Sequence, residues 1–263
     1  MAKRPKVALA LGAGGVYGYA HIGVLQVLEE NALLPDFVVG CSIGAVIGAL
    51  YGAGLSSRQL ESLATHLRRS HWLDVTMTRM GVVSGQRLEG VLRLLTRDRR
   101  LEDLEPPLAV VATDIERSRK VIFTRGPAAV AAHASGAVPG IFSPVRVGES
   151  LLVDGALLER VPVDTARALG ADRVLAVALG GTPDGQRVPV RHLFDVINQS
   201  FSIMQRALAA ERAVTADVLV EPVAPEGTGP GQAAALIEAG RSAALARIDE
   251  IRRLFSREVA WRG

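Results

Sequence analysis

Cysteine is almost absent from this chain: among 263 residues only Cys41 carries a thiol. No intrachain disulfide can form, which excludes a disulfide-stapled scaffold and fits a reducing compartment, so the protein is expected to be cytoplasmic. Aromatic residues make up 4% of the chain, and packing falls to Ala, Gly, Leu and Val. Lysine is scarce too: Lys3, Lys6 and Lys120 are the only three among 30 basic residues. Basic residues exceed acidic ones by 3 (30 minus 27). They form no block of the kind that makes a nucleic-acid arm, so no nucleic-acid partner is expected. A mild attraction to anionic surfaces, and with it peripheral contact at the inner membrane face, stays open.

Charge is missing from Phe37 to Ser57, where Gly40, Gly44, Gly48 and Gly52 recur every fourth residue. Hydropathy alone would allow a membrane helix with GxxxG packing there. The Pro35-Asp36 entry and the glycines fit a strand, a turn and a tightly packed helix better. The opening "MAKRPKVALALGAGGVYGYA" imitates a signal peptide, but its second half is too glycine-rich and no small-x-small site follows. It is expected to be a first strand and a glycine-rich loop.

With 49% apolar residues, the chain has ample material for one large core, and its length suits one α/β domain over 1–263. "KVALAL" and "DFVVG" read as buried strands, each followed by glycines and a helix. Ser57 is expected to cap the next helix, with Glu61 near the capping-box position. A helical, arginine-rich segment covers about 56–105, where Trp72, Met77 and Met80 amid arginines would suit a lid at a headgroup boundary; ordinary solvated helices are the simpler reading. "PLAVVATD" and "RKVIFTRG" read as strands, "PAAVAAHASGAVPG" as a short helix, and "PVRVGESLLVDG" as a hairpin ending at Asp154. A helix, a strand, a long helix near 190–213, the strand "ADVLVEP" and a final helix from about 231 follow. The alternation predicts a three-layer α/β/α architecture around a mostly parallel central sheet.

Ligands of such sheets gather where strands end and helices begin. One early junction carries Gly12, Gly14, Gly15 and Gly18. The next, "GCSIG", places Ser42 between glycines. A sharp strand-to-helix turn exposes a serine hydroxyl, and free amides at the neighbouring junction can receive the negative charge of acyl transfer. Each such donor contributes about 3 kcal/mol in comparable sites. The G-x-S-x-G string is weak alone, and a buried serine in a glycine-packed turn is the bland alternative.

The proton acceptor is less plain. Ser42, Asp154 and His192 satisfy the α/β-hydrolase order, but only one strand precedes the glycine loop, and His192 opens an amphipathic helix. His21, His66, His71 and His133 fall in helical or arginine-rich stretches and read as structural or surface residues rather than catalytic ones. Asp154 and Asp114 each end a strand, and spacing alone does not separate them. With a pKa near 3.9, aspartate lies about three units below neutral pH, roughly 4 kcal/mol from ideal matching. It would need a dry pocket, and it favours esters over amides.

These blocks resemble the bacterial patatin-like phospholipases nearly end to end. "LALGAGGVYGYAHIGVLQVLEE" is similar to the family's oxyanion loop and first helix, and "GCSIGAVIGALYG" to its nucleophile elbow. "VVATD", "ASGAVPGIFSPV" and "LLVDGALLERVPVDTARALGADRVLAV" resemble later blocks, and "ADVLVEP" and "LIEAGRSAA" its end. The resemblance implies a patatin-like fold and hydrolysis of phospholipid, lysophospholipid or related acyl esters. It implies Ser42 as nucleophile, Asp154 as its base, Gly14 and Gly15 as oxyanion donors, and no metal or organic cofactor. Two departures stand out. The loop usually reads G-G-G-x-R-G, whereas Ala13 to Gly18 here read A-G-G-V-Y-G, with Tyr17 in the arginine's place. Glu159 and Arg160 replace the usual asparagines after Asp154. The Tyr17 substitution keeps a catalytically silent lipid- or partner-binding protein in view. A dinucleotide-binding oxidoreductase is the lesser alternative, because no acidic residue ends the second strand. Cys41, beside Ser42, is expected to serve packing.

Overall fold

The computed structural model describes residues 4–66, 74, 80–179, 190, 196–197, 199–204, 215–225 and 231–256. Its strands are β1 (Val7–Leu11), β2 (Phe37–Cys41), β3 (Leu108–Asp114), β4 (Arg119–Phe123), β5 (Val145–Val147), β6 (Ser150–Asp154), β7 (Arg173–Val177) and β8 (Val218–Val220). They form one mixed eight-stranded sheet. β3, β2, β1, β7 and β8 run parallel, while β4 and β6 pair antiparallel with β3 and β5 pairs antiparallel with β6.

Period-two alternation assigns the faces. In "VALAL", Val7, Leu9 and Leu11 face a thick helical layer, and Ala8 and Ala10 face the thin one. The thick layer holds α1 (Tyr19–Glu30), α2 (Ile43–Gly52), α3 (Ser57–His66), α4 (Gln86–Leu95) and α5 (Ala128–Ser135). α7 (Ala233–Ala246) packs on α1, and α8 (Ile248–Phe255) lies against β7 and β8. The thin face is lined by alanines and valines, and α6 (Val163–Ala168) packs on it through Val163 and Ala166. The final helix of the sequence reading is thus two helices. The long helix near 190–213 falls largely outside the described residues, of which 196, 197 and 199–204 are helical.

The uncharged stretch from Phe37 is strand, turn and helix, and no helix among the described residues is long and apolar enough to cross a membrane. The cap before α3 differs from expectation. Ser56 and Gln59 form the reciprocal pair, with Ser56 N–H donating to Gln59 Oε1 at 2.9 Å and Gln59 N–H to Ser56 Oγ at 3.3 Å. Ser57 instead ties α3 to α1, its hydroxyl donating to Glu29 at 2.5 Å.

One register matters for the site. On β3, Val110 and Val111 pair with both β2 and β4, so those two strands occupy opposite edges. β6 pairs with Ala112 to Asp114, which β4 also pairs, so β6 lies on the β2 edge. β2 and β6 therefore meet end to end along one edge of β3: Cys41 sits opposite Val111, and Asp154 opposite Ala112.

Candidate active site

Ser42 follows directly on β2 and precedes α2. Its backbone has φ 55° and ψ −123°, a strained conformation for a non-glycine residue. The turn is tight enough that a Cβ at Gly44 would lie 2.2 Å from the Leu11 carbonyl oxygen, so only glycine lets α2 start so close to β1. Ser42 N–H donates to Ser135 Oγ at 2.7 Å, and that hydroxyl donates to the Val111 carbonyl at 2.6 Å.

The end-to-end register delivers Asp154 to this turn. Ser42 Oγ donates to Asp154 Oδ2 at 2.6 Å, and the other carboxylate oxygen accepts the Ala156 N–H at 2.8 Å. The Asp154 N–H donates to the Ala137 carbonyl at 2.9 Å. Both side chains are nearly enclosed, Ser42 at 6% and Asp154 at 2% exposure. Burial pushes the Asp154 pKa up to about 6, against the opposing pull of the Ser42 hydroxyl, the Ala156 amide and the Arg160 charge. The gap to neutral pH is then about one unit, roughly 1.4 kcal/mol. This dry setting removes most of the mismatch that an ordinary aspartate would carry.

Asp114 does not share the site. It lies two positions further along β3 than the residue opposite Asp154. Ser150 Oγ donates to it at 2.9 Å and Arg117 Nη1 at 3.3 Å. Burial would raise its pKa, but these partners hold it below the usual carboxylate range. It fastens β3 to β6.

The glycine loop is held from three sides. Gly12 N–H donates to the Val177 carbonyl at 3.0 Å, and Ala13 N–H to the Arg160 carbonyl at 2.9 Å. His21 Nε2–H, on α1, donates to the Gly12 carbonyl at 2.8 Å. That side chain is fully buried, and desolvation pushes its pKa down to about 4, so it stays neutral. Neither the Gly14 nor the Gly15 amide donates to another group among the described residues. Both glycines line the same pocket as Ser42 and Asp154.

No described histidine hydrogen-bonds to Ser42 or Asp154. His66 is exposed and bonds the Ser62 carbonyl at 2.9 Å, and His133 bonds Glu89 at 3.0 Å. His71 and His192 lie outside the described residues, as do Trp72 and Met77. Among the described residues no group of His, Cys, Asp or Glu is arranged to hold a metal ion. Cys41 is fully buried beside Ser42, and desolvation raises its thiol pKa well above the usual value.

The pocket that opens from Ser42 has a volume of about 630 Å³. Its walls are apolar: Ile43, Ile47 and Leu50 from α2, Leu60 from α3, and Leu92 and Leu95 from α4. The described parts of the arginine-rich segment thus turn leucines to the pocket, while Arg58 and Arg87 are exposed. The Glu89–His133 pair fixes α4 to α5, which ends at Ser135. Two site residues escape sequence reasoning. Ser135 follows a run of alanines with no local mark, and Arg160 registers only as a departure from the resemblance.

A family model described as patatin-like phospholipase matches residues 9–167. An uncharacterized NTE family protein of Mycobacterium bovis is 36% identical over 183 residues, 69% of this chain and 51% of that protein. Human patatin-like phospholipase domain-containing protein 6 is 34% identical over 182 residues, 66% of this chain and 13% of that protein. The chain thus spans about half the length of the first relative and far less of the second. Among solved structures, VipD from Legionella pneumophila superposes with a TM-score of 0.66 at 14% identity, covering 94% of this chain and 67% of VipD. The type III effector ExoU superposes with a TM-score of 0.56 at 18% identity, covering 96% of this chain and 53% of that one. At such identities the likeness is one of fold.

Proposed function

The chain belongs to the patatin-like phospholipase family, and on that premise we propose that it hydrolyses acyl esters of lipids with Ser42 as nucleophile and Asp154 as base. The observation that carries the reading is the 2.6 Å hydrogen bond from Ser42 Oγ to a buried carboxylate at the end of an apolar pocket. The proton of Ser42 passes to Asp154 as Oγ bonds to the ester carbon. The carbonyl oxygen becomes an anion facing the Gly14 and Gly15 amides. Collapse breaks the bond to the alcohol, which takes the proton from Asp154 and leaves an acyl-serine. Water then gives a proton to Asp154 and attacks the acyl carbon, and Ser42 departs with that proton as the fatty acid forms. The acyl chain lies along the α2, α3 and α4 leucines. The reaction draws on no metal or organic cofactor, and the substrate class is phospholipid, lysophospholipid or a related lipid ester, met at a membrane surface.

Fluorophosphonate labelling with peptide mapping tests the assignment. Modification is expected at Ser42 alone, and Ser42→Ala and Asp154→Ala should each lose at least a thousand-fold in ester turnover while remaining folded. Label on any other residue, with turnover surviving in Ser42→Ala, overturns it.

A further inference from the structure

The stretch from His133 to Ser143, which is the end of α5 and the loop after it, touches both members of the dyad and one wall of the pocket. Ser135 Oγ accepts the Ser42 N–H at 2.7 Å, and the Ala137 carbonyl accepts the Asp154 N–H at 2.9 Å. The same stretch also holds α4. Just before that helix begins, the Val82 N–H donates to the Ile141 carbonyl at 3.0 Å and the Val83 N–H at 2.9 Å. The Ser143 N–H donates back to the Val83 carbonyl at 2.8 Å. His133 ties the helix itself, with its Nδ1 3.0 Å from Glu89 Oε2. Leu88, Leu92 and Leu95 of α4 line the pocket.

Histidine is a costly choice at position 133. The ring is buried, and its Nε2 sits against Gly85 with no hydrogen-bond partner among the described residues. An apolar side chain in that space would carry no such penalty. Burial would raise the Glu89 pKa, but His133 and Arg93 hold it below the usual carboxylate range. Glu89 is therefore ionised, and the ring nitrogen facing it carries a proton, which makes the contact a charge-assisted tether. We infer that His133 is a positioning residue: through Glu89 it ties the acyl-binding wall to the stretch that holds Ser42 and Asp154, so that contact with a long acyl chain raises kcat. The inference rests on the hydrolase reading above. Apolar contact far from the reacting carbon raises kcat only where it improves the fit of the transition state. An acyl chain lying on Leu88, Leu92 and Leu95 presses on α4, and α4 is fastened through His133 and Ile141 to the stretch that accepts both dyad N–H groups. A displacement of about 1 Å at the reacting atoms costs on the order of a hundred-fold in rate, so a small adjustment passed along this stretch is enough.

Two esters with one leaving group, p-nitrophenyl acetate and p-nitrophenyl octanoate, separate wall contact from chemistry. In the wild type, kcat on the octanoate should exceed kcat on the acetate about ten-fold. Glu89→Ala removes a partly exposed acceptor, and His133→Leu keeps the ring's space filled; each removes the tether. In both, that ratio of kcat values should fall at least five-fold, while KM for the octanoate changes less than two-fold. His133→Asn returns a donor near the place of Nδ1 and should recover about half of the lost ratio. A wild-type ratio near one overturns the inference. So do equal losses on both esters in the tether variants, which would make the pair mere scaffolding, and a change confined to KM, which would make α4 a passive wall. His133→Asn no better than His133→Leu overturns it as well. Turnover of both esters surviving in Ser42→Ala would instead remove the hydrolase reading.

Discussion

Ser135 Oγ lies 2.7 Å from the backbone nitrogen of Ser42 and holds it from behind, while its own proton goes to Val111. The hydroxyl is fully buried, so it stands in for a backbone partner at the one point where α2 begins with a strained residue. Ser135→Ala leaves the Ser42 N–H and the Val111 carbonyl both unsatisfied, at a cost of about 1–3 kcal/mol. Urea unfolding should show that loss. The rate of fluorophosphonate labelling should fall roughly ten-fold in the folded variant, because the hydroxyl at 42 is less well aimed.

The raised pKa of Asp154 has opposite consequences for rate and stability. The carboxylate accepts a proton only when ionised, so kcat/KM on a neutral ester should rise from pH 4.5, be half-maximal near 6 and level off about one unit above that. A carboxyl with pKa about 6 when folded and about 3.9 when unfolded makes folding less favourable as pH rises through that window. Its contribution is greatest below pH 4 and is lost above 6. Asp154→Asn is uncharged at all these values. It should therefore gain up to about 3 kcal/mol over the wild type at pH 8, a gain that disappears near pH 4. Paired denaturant titrations at the two pH values measure it.

The leucines of the pocket imply a chain-length rule. From Ile43 to Leu50 the α2 wall runs about 10 Å. Each methylene added to a short acyl ester should raise kcat/KM by up to about four-fold, the equivalent of ~0.8 kcal/mol, until the wall is filled. Leu50→Trp fills the far end, so the optimum of an ester series should move to shorter chains, with little change for acetate or butyrate esters. An unshifted optimum would place the acyl chain elsewhere.

Cys41 is expected to be inert. Its thiol is fully buried, and burial keeps it protonated. Iodoacetamide at pH 8 should leave the folded protein unmodified and label one site once guanidinium unfolds it.

Much of this architecture is legible in the residues. The apolar runs bounded by glycine or proline are strands, the G-x-S-x-G turn stands where β2 meets α2, and the hairpin brings Asp154 to its end. Local pattern carries those features. What it does not carry is lateral placement. That β2 and β6 share one edge of β3, which separates Asp154 from Asp114, depends on pairings more than 30 residues apart. The cap at α3 falls on Ser56 rather than Ser57 for a different reason: the tertiary contact with Glu29 takes the Ser57 hydroxyl. The spacing of Leu60, Leu88, Leu92 and Leu95 announces amphipathic helices without saying that the surface they cover is a cavity.

The shared edge of β3 also governs timing. The hydroxyl and the carboxylate are 112 positions apart in the chain, and nothing short of the β5–β6 hairpin bridges them. During synthesis the growing chain displays its serine turn long before the matching acid has left the ribosome. A prematurely terminated product ending before residue 154 carries an unassisted serine, so the pairing of Ser42 with Asp154 forms only after the hairpin has docked.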